Sequence, residues 1–245
     1  MITGASAGLG AEFARQCSAR GDELVLVARR RDRLEALAAE TGRAHAIAAD
    51  LAEPGAAQRL AAEIEGLGLH VDTLINNAGF GLAGRFDRLP AERQLEMVDL
   101  NVRALTVLCR LFLLGMVERK AGAILNVAST AAFQAGPHMA VYYASKAYVL
   151  SLTEALHQEL KGSGVRVSAL CPGPTATEFF DVAGAGNGRL ARIATDPVAV
   201  VSAGLRGLDR NKAIVIPGVA NRAGAHASRF LPRAVMRRIV ASIKA

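Results

Sequence analysis

The sequence predicts an α/β fold built on a doubly wound parallel sheet with helices on both faces. Short apolar runs rich in β-branched residues alternate with helical segments, which is typical of a parallel sheet covered on both sides. The chain has 245 residues, of which 51% are hydrophobic and 21% charged, so it can form a large core. The composition does not change along the chain in the way a linker would require, so we expect a single domain over residues 1–245.

The first half of the chain supplies three predicted strands and the helices that precede or follow them. Strands are predicted at residues 24–28, 44–48 and 73–75, and helices near residues 9–20, 31–41 and 54–67. The strands are short apolar runs such as LVLVA, whereas the second helix has a polar face. This alternation predicts parallel strands joined by helical crossovers.

The second half continues the same alternation. Strands are predicted at residues 123–127, 165–170 and 213–216, and helices near residues 90–97, 99–118, 142–161 and 196–208. The sheet is therefore expected to extend almost to the end of the chain.

The start of the chain is short for this architecture. The first strand of such a sheet is central, and strands typically have about five or six residues. Only Met1 and Ile2 precede Thr3, where a glycine-rich turn begins. We expect the first strand to be truncated and the natural chain to carry several apolar residues upstream.

Charge and cysteine content narrow the classes of function. The net charge is +7, with arginines clustered at 29–33 and 229–238, but no aromatic stacking platform or DNA-reading motif accompanies them. We therefore expect no nucleic-acid partner. The three cysteines, Cys17, Cys109 and Cys171, are odd in number and far apart, which favours buried, reduced thiols in a reducing compartment.

The sequence favours a cytoplasmic location. It has no signal peptide of the usual pattern. Its longest apolar run, residues 104–117, is interrupted by Arg110 and is too short to span a bilayer. No metal site is predicted.

The segment TGASAGLG, residues 3–10, predicts a phosphate-binding turn. Its glycines, Gly4, Gly8 and Gly10, differ in spacing from the G-x-G-x-x-G fingerprint, but they permit the same tight turn and close approach to phosphate. A helix starting near Leu9 would direct its N-terminal amides at the anion. With this turn the predicted sheet is Rossmann-like.

Arg29 and Arg30 favour NADP over NAD. The end of the second strand reads the adenosine ribose, where a carboxylate binds a free 2′-hydroxyl and arginine binds a 2′-phosphate. Here two guanidiniums follow the strand and no carboxylate does. The alternative is a solvated helix start, although cations at a helix N-terminus oppose the helix dipole.

Tyr142 and Lys146 form a candidate acid/base pair. They are four residues apart at the start of a predicted helix and so share one face. A free tyrosine has a pKa of about 10, and a neighbouring ammonium would lower that pKa towards neutrality. Tyr143 is also near Lys146, so the spacing alone does not choose between the two tyrosines.

Ser129 is a candidate oxyanion-stabilising residue. It lies just past the strand at 123–127, and the segment of residues 130–141 that follows contains Gly136-Pro137 and is predicted to be a loop. A serine at a strand end can then face the start of the next helix and donate to a developing negative charge.

Together these motifs resemble the short-chain dehydrogenase/reductase superfamily, in its single-domain branch. The resemblance rests on TGASAGLG, on Asn76-Asn77-Ala78-Gly79 and on Tyr142-Tyr143-Ala144-Ser145-Lys146, and it runs from residue 3 to about residue 178. It selects Tyr142 as the acid and implies that Lys146 holds the nicotinamide ribose. It also implies that Asn101 organises a water and proton relay.

The resemblance also extends the set of cofactor contacts. Asp50 and Leu51 would border the adenine, residues 77–79 would brace the cofactor side of the sheet, and Thr177 would contact the nicotinamide carboxamide. The implied catalytic residues are Asn101, Ser129, Tyr142 and Lys146. The implied cofactor-binding residues are Gly4, Ser6, Gly8, Leu9, Gly10, Arg29, Arg30, Asp50, Leu51, Asn77, Ala78, Gly79, Tyr142, Lys146, Pro172, Gly173, Thr175 and Thr177.

The expected function is that of an NADP(H)-dependent oxidoreductase of class EC 1.1.1.-, which transfers a hydride between the nicotinamide and a carbonyl or alcohol. The substrate is expected to be small to medium and hydrophobic, and the resemblance implies a homodimer or homotetramer. The alternative is a nucleotide-binding regulatory or scaffold protein on the same fold with little turnover.

Two further segments bear on substrate access and partners. Residues 178–195 are glycine-rich and are expected to form a substrate lid, although a merely flexible surface loop is the alternative. Phe133, Met139, Phe179 and Phe180 suggest an apolar pocket. Residues 228–245 form a basic amphipathic tail that could contact an anionic membrane, a neighbouring subunit or the domain's own surface.

Overall fold

The computed structural model describes residues 1–184, 195–227 and 230–244. Its strands form one parallel sheet of seven in the order β3-β2-β1-β4-β5-β6-β7, which confirms the predicted fold class. The strands are β1 Ile2–Thr3, β2 Leu24–Ala28, β3 Ala44–Ala48, β4 Thr73–Asn76, β5 Gly122–Val127, β6 Val165–Leu170 and β7 Ile214–Val215. The single-domain organisation over residues 1–245 stays a prediction.

Helices cover both faces of the sheet. They are α1 Gly8–Ser18, α2 Arg31–Thr41, α3 Ala56–Gly66, α4 Ala91–Val98, α5 Leu105–Glu118, α6 Ala140–Glu159, α7 Phe179–Val182, α8 Pro197–Asp209, α9 Val219–Ala227 and α10 Arg233–Lys244. One buried cluster joins α3, α5 and α6 to the sheet, through residues such as Leu60, Leu108 and Val149. The cluster on the other face joins α1, α2 and α8.

The first strand is central and has two residues, as the sequence predicts. Ile2 pairs with Leu26 of β2 and with Ile75 of β4. The Thr3 hydroxyl accepts hydrogen bonds from the backbone N–H groups of Asn77 and Ala78, each at 3.0 Å. These contacts fix the start of the glycine-rich turn between β2 and β4.

The two helices predicted near residues 90–97 and 99–118 are present, but they form one continuous helical run over Ala91–Glu118. A π-helical segment, Asp99–Ala104, joins α4 and α5 without a break. By length and composition alone this run could cross a membrane. Its buried side chains, including Leu105, Leu108 and Met116, pack in the core, which is how a central helix of an α/β fold behaves.

The lid and the tail are described only in part. Of the predicted lid, residues 185–194 lie outside the described residues, as do residues 228 and 229 of the tail. The described part of the tail, residues 230–244, contains α10, in which Val240 is 5% exposed. This burial favours packing on the domain's own surface, one of the three alternatives for the tail.

Candidate active site

A cavity of about 540 Å³ opens at the carboxyl ends of the parallel strands. This edge of a doubly wound sheet is where ligands bind. The predicted site residues that line the cavity are Gly4, Ser6, Gly8, Leu9, Arg29, Arg30, Asp50, Leu51, Asn77, Ala78, Gly79, Ser129, Tyr142, Lys146, Pro172, Gly173, Thr175 and Thr177. Gly10 and Asn101 do not line the cavity, but each contacts a residue that does: Gly10 packs against Gly4, and Asn101 is hydrogen-bonded to Phe80.

The glycine-rich turn packs too closely to admit side chains. Gly4 and Gly8 have φ angles of +66° and +55°, which favour glycine. A Cβ atom on Gly10 would lie 2.1 Å from the Gly4 carbonyl oxygen. The turn therefore requires glycine at these positions, and α1 can begin at Gly8 directly against it.

Asn77 braces the same turn from the neighbouring strand. Its Nδ2 donates to the carbonyl oxygens of Thr3 at 3.0 Å and Gly4 at 3.3 Å. The first turn of α1 has no side-chain cap, so its backbone N–H groups remain available to a ligand. This is the geometry of an anion-binding helix start.

Arg30 lies at one end of the cavity against the turn. Its Nε and Nη2 donate to Ser6 Oγ, both at 3.2 Å. Its outer edge donates to Glu178 Oε2, from Nη1 at 3.1 Å and from Nη2 at 3.2 Å. Arg29 instead points to Glu96 at 3.3 Å and Asp50 at 3.6 Å.

Tyr142 lies at the other end of the cavity and is 8% exposed. Burial raises its pKa to about 12, against a smaller lowering by a hydrogen bond with Ser129. The predicted lowering of this pKa by Lys146 is therefore not observed. The Lys146 Nζ atom lies 5.9 Å from the centre of the Tyr142 ring and donates to the Val127 carbonyl at 2.7 Å.

Lys146 is buried beneath Tyr142. Burial lowers its pKa to about 8, and Cys171 opposes that shift. It remains largely protonated at neutral pH and can donate hydrogen bonds into the cavity. Cys171 is a free, buried thiol, as are Cys17 and Cys109, in agreement with the sequence.

Asn101 holds the wall of the site from the π-helical segment. Its Nδ2 donates to the Phe80 carbonyl at 2.9 Å and to Ser145 Oγ at 3.1 Å, and its Oδ1 accepts from the Phe80 N–H at 3.1 Å. Ser145 in turn donates to the Tyr142 carbonyl at 2.7 Å. Asn101 thus connects the loop after β4 to the start of α6, which carries Tyr142.

The end of the cavity near Tyr142 is apolar. Phe80, Met139 and Phe179 line the cavity and pack with Tyr142 there, and Val182 and Val240 also line the cavity. The sequence indicated Met139 and Phe179 but missed Phe80 and Val240. A contact between the last helix and the site depends on long-range packing, which local periodicity does not reveal.

Phe133 does not line the cavity, contrary to expectation. It ends a short 3₁₀ turn, Thr130–Phe133, within the predicted loop and packs against the core instead. The Phe180 side chain lies outside the described residues. Among the described residues, no group of three or more His, Cys, Asp or Glu side chains could hold a metal ion.

Comparison with known proteins identifies the family. Residues 1–187 match the family model described as short chain dehydrogenase. The chain belongs to the short-chain dehydrogenase/reductase family. Members of this family are oxidoreductases that use a nicotinamide cofactor.

Individual members of this family are about one third identical to the chain over the aligned residues. A short chain dehydrogenase of Pseudocercospora fijiensis is 34% identical over 185 residues, which is 73% of this chain and 60% of that protein. The ketoacyl reductase HetN of a Nostoc strain is 36% identical over 177 residues, 71% of this chain and 62% of that protein. The chain therefore covers less than two thirds of the length of either relative.

A solved short-chain dehydrogenase/reductase structure matches more of the chain. The short-chain dehydrogenase from Sphingobium yanoikuyae, in complex with NADPH, is 35% identical with a TM-score of 0.83. The match covers 96% of this chain and 93% of that one.

Proposed function

We propose that this protein is an NADP(H)-dependent oxidoreductase that interconverts a hydrophobic ketone or aldehyde and the corresponding alcohol. One observation carries the proposal. A single cavity has Arg29, Arg30 and Ser6 at one end and Ser129, Tyr142 and Lys146 at the other. It thus joins a site suited to a phosphate and a site suited to proton transfer.

The turn, the strand ends and the helix start fit a nicotinamide dinucleotide. The close-packed glycines leave backbone N–H groups to hold its phosphates, and Asn77 fixes the turn that presents them. Lys146 would hold the nicotinamide ribose, and residues 172–177 would lie along the nicotinamide. When bound, the cofactor supplies or accepts the hydride at the carbonyl carbon.

Tyr142 and Ser129 act on the substrate oxygen. In the direction of reduction, the carbonyl oxygen gains negative charge as the hydride arrives, and the Tyr142 O–H transfers its proton to that oxygen. The Ser129 hydroxyl stabilises the developing charge by hydrogen bonding. In the direction of oxidation the Tyr142 phenolate takes the proton from the alcohol.

The raised pKa of Tyr142 predicts that the rate of alcohol oxidation depends on pH. With a pKa of about 12 for Tyr142 and about 8 for Lys146, both groups are protonated below about pH 8. Alcohol oxidation needs the phenolate, so its kcat/KM should rise between about pH 6 and about pH 8, by up to about tenfold per pH unit. Carbonyl reduction should stay nearly constant. Profiles measured in both directions check this, and oxidation that slows with rising pH would contradict it.

Arg30 and Ser6 support a preference for NADP(H). Arginine's planar fork binds phosphate oxygens in pairs, and Ser6, which accepts from Arg30, keeps its own O–H to donate. The Sphingobium relative contains NADPH, which supports the same choice.

Substitution of Arg30 by alanine tests this preference. The variant should lose about 10- to 100-fold in NADPH affinity, because charge-assisted hydrogen bonds are lost, while NADH affinity changes little. Titration calorimetry measures both. Arg31→Ala is the matched control, because Arg31 pairs with Glu35 on α2 and does not line the cavity. An equal loss for both cofactors would reject the assignment of Arg30.

Turnover itself is tested by a panel of ketones, aldehydes and alcohols, read at the nicotinamide absorbance. We expect small to medium apolar carbonyl compounds to be reduced with NADPH, because Phe80, Met139 and Phe179 line the reacting end. NADPH binding with no turnover across the panel would favour the regulatory or scaffold role instead.

The proposal also includes a homo-oligomeric assembly and a cytoplasmic location. A homodimer or homotetramer is supported by apolar residues exposed on α5, Leu114 at 51% and Val117 at 40%. A cytoplasmic location is supported by the three free, buried cysteines.

A further inference from the structure

Glu178 forms an ion-pair cluster at the phosphate end of the cavity. Its Oε2 accepts from Arg30 at 3.1 and 3.2 Å, and its Oε1 accepts from Arg33 at 2.7 Å. Glu178 lines the cavity together with Arg30 and Ser6. The two arginines hold the pKa of the Glu178 carboxyl below its usual value, with the Arg33 hydrogen bond the largest cause.

The backbone on both sides places Glu178 at this point. Thr177 packs against Gly8, since a Cβ atom there would lie 3.1 Å from the threonine Cβ. Phe179 packs against the catalytic end, with its ring centre 5.2 Å from that of Tyr142. Residues 177–179 therefore contact both ends of the site, and these contacts place the Glu178 carboxylate beside Arg30.

The hydrogen-bonding capacity of Arg30 is nearly used up in this arrangement. A guanidinium has five N–H donors. Ser6 takes one from Nε and one from Nη2, and Glu178 takes the other from Nη2 and one from Nη1. While Glu178 is bound to the outer edge of Arg30, a second anion could not form a pair of hydrogen bonds with that edge.

We propose that Glu178 is a cofactor-specificity residue whose carboxylate occupies the 2′-phosphate-binding edge of Arg30 and is displaced when a 2′-phosphate binds. This inference rests on the proposed NADP(H) dependence. The displacement is feasible because the ion pairs are about half exposed, and such pairs are weak. A phosphate carries up to about two negative charges and so competes well for the same donors.

If Glu178 competes with the 2′-phosphate for Arg30, removing the charge of Glu178 should strengthen the binding of ligands that carry a 2′-phosphate. Glu178→Gln should strengthen binding of adenosine 2′,5′-bisphosphate by about 3- to 10-fold, because the displaced group no longer carries a charge that attracts Arg30. Binding of adenosine 5′-monophosphate, which lacks the 2′-phosphate, should change by less than about twofold. Titration calorimetry on the full chain measures both ligands without turnover.

Glu35→Gln is the matched control. It removes the same charge from an ion pair of α2, with Arg31, outside the cavity lining. It should leave both affinities unchanged, which separates a local effect from a change in net charge.

Each remaining outcome overturns the inference in a distinct way. If the unaltered protein prefers the bisphosphate but Glu178→Gln leaves that preference unchanged or weakens it, Glu178 does not compete and the proposed function stands. If the unaltered protein binds both ligands equally, the NADP(H) preference fails, and the role of Glu178 fails with it.

Discussion

Tyr142→Phe should lower kcat for carbonyl reduction by about 10²- to 10⁴-fold, the usual contribution of a positioned general acid. The substitution removes the only atom of the side chain that can transfer a proton, while the ring keeps its packing against Phe179. NADPH affinity and the melting temperature should change little. Steady-state kinetics and titration calorimetry on the same preparation measure these quantities.

Tyr143→Phe is the matched control for this prediction. Tyr143 also lines the cavity, and its ring centre lies 6.1 Å from that of Tyr142. Because the Lys146 Nζ atom lies over the Tyr142 ring, and Ser129 lowers the pKa of Tyr142 but not that of Tyr143, the Tyr143 variant should remain active. An inactive Tyr143 variant beside an active Tyr142 variant would reassign the acid.

Gly10→Ala should disrupt the cofactor end of the site. The new Cβ would lie 2.1 Å from the Gly4 carbonyl oxygen, which forces α1 away from the turn. We expect the free energy of unfolding to fall by about 1–3 kcal/mol, as for other overpacked sites. NADPH affinity should fall by about tenfold or more, because the phosphate-binding N–H groups move.

Gly66→Ala provides the control for the glycine effect. Gly66 ends α3, and a Cβ atom there would contact nothing within 4 Å. The free energy of unfolding should stay the same or rise by about 0.5–1 kcal/mol, and NADPH affinity should not change. If both variants bind NADPH like the unaltered protein, close packing of the turn is not needed for cofactor binding.

Much of the fold and of the site follows from local sequence patterns. Buried strands end at Ala28, Asn76 and Val127, and polar or glycine-rich segments follow each of them. Carboxyl ends of parallel strands meet at one edge, so the residues after them share one cavity. Tyr142 and Lys146 are four residues apart, so the period of an α-helix is enough to predict that they share one face.

What the sequence does not predict depends on distant contacts. Glu178 meets Arg30 and Arg33 across about 150 residues of chain, and no local pattern marks it as their partner. Val240 reaches the cavity only through the packing of α10. The shift of the Tyr142 pKa is opposite to expectation because burial, which depends on the whole fold, outweighs the local hydrogen bond.

The kcat/KM of the unaltered protein with NADPH and with NADH, for one reduced ketone, tests the central claim most directly. If the cavity binds the 2′-phosphate at Arg30 while Tyr142 transfers the proton, kcat/KM should be higher with NADPH than with NADH by about tenfold or more. A ratio at or below one would contradict it.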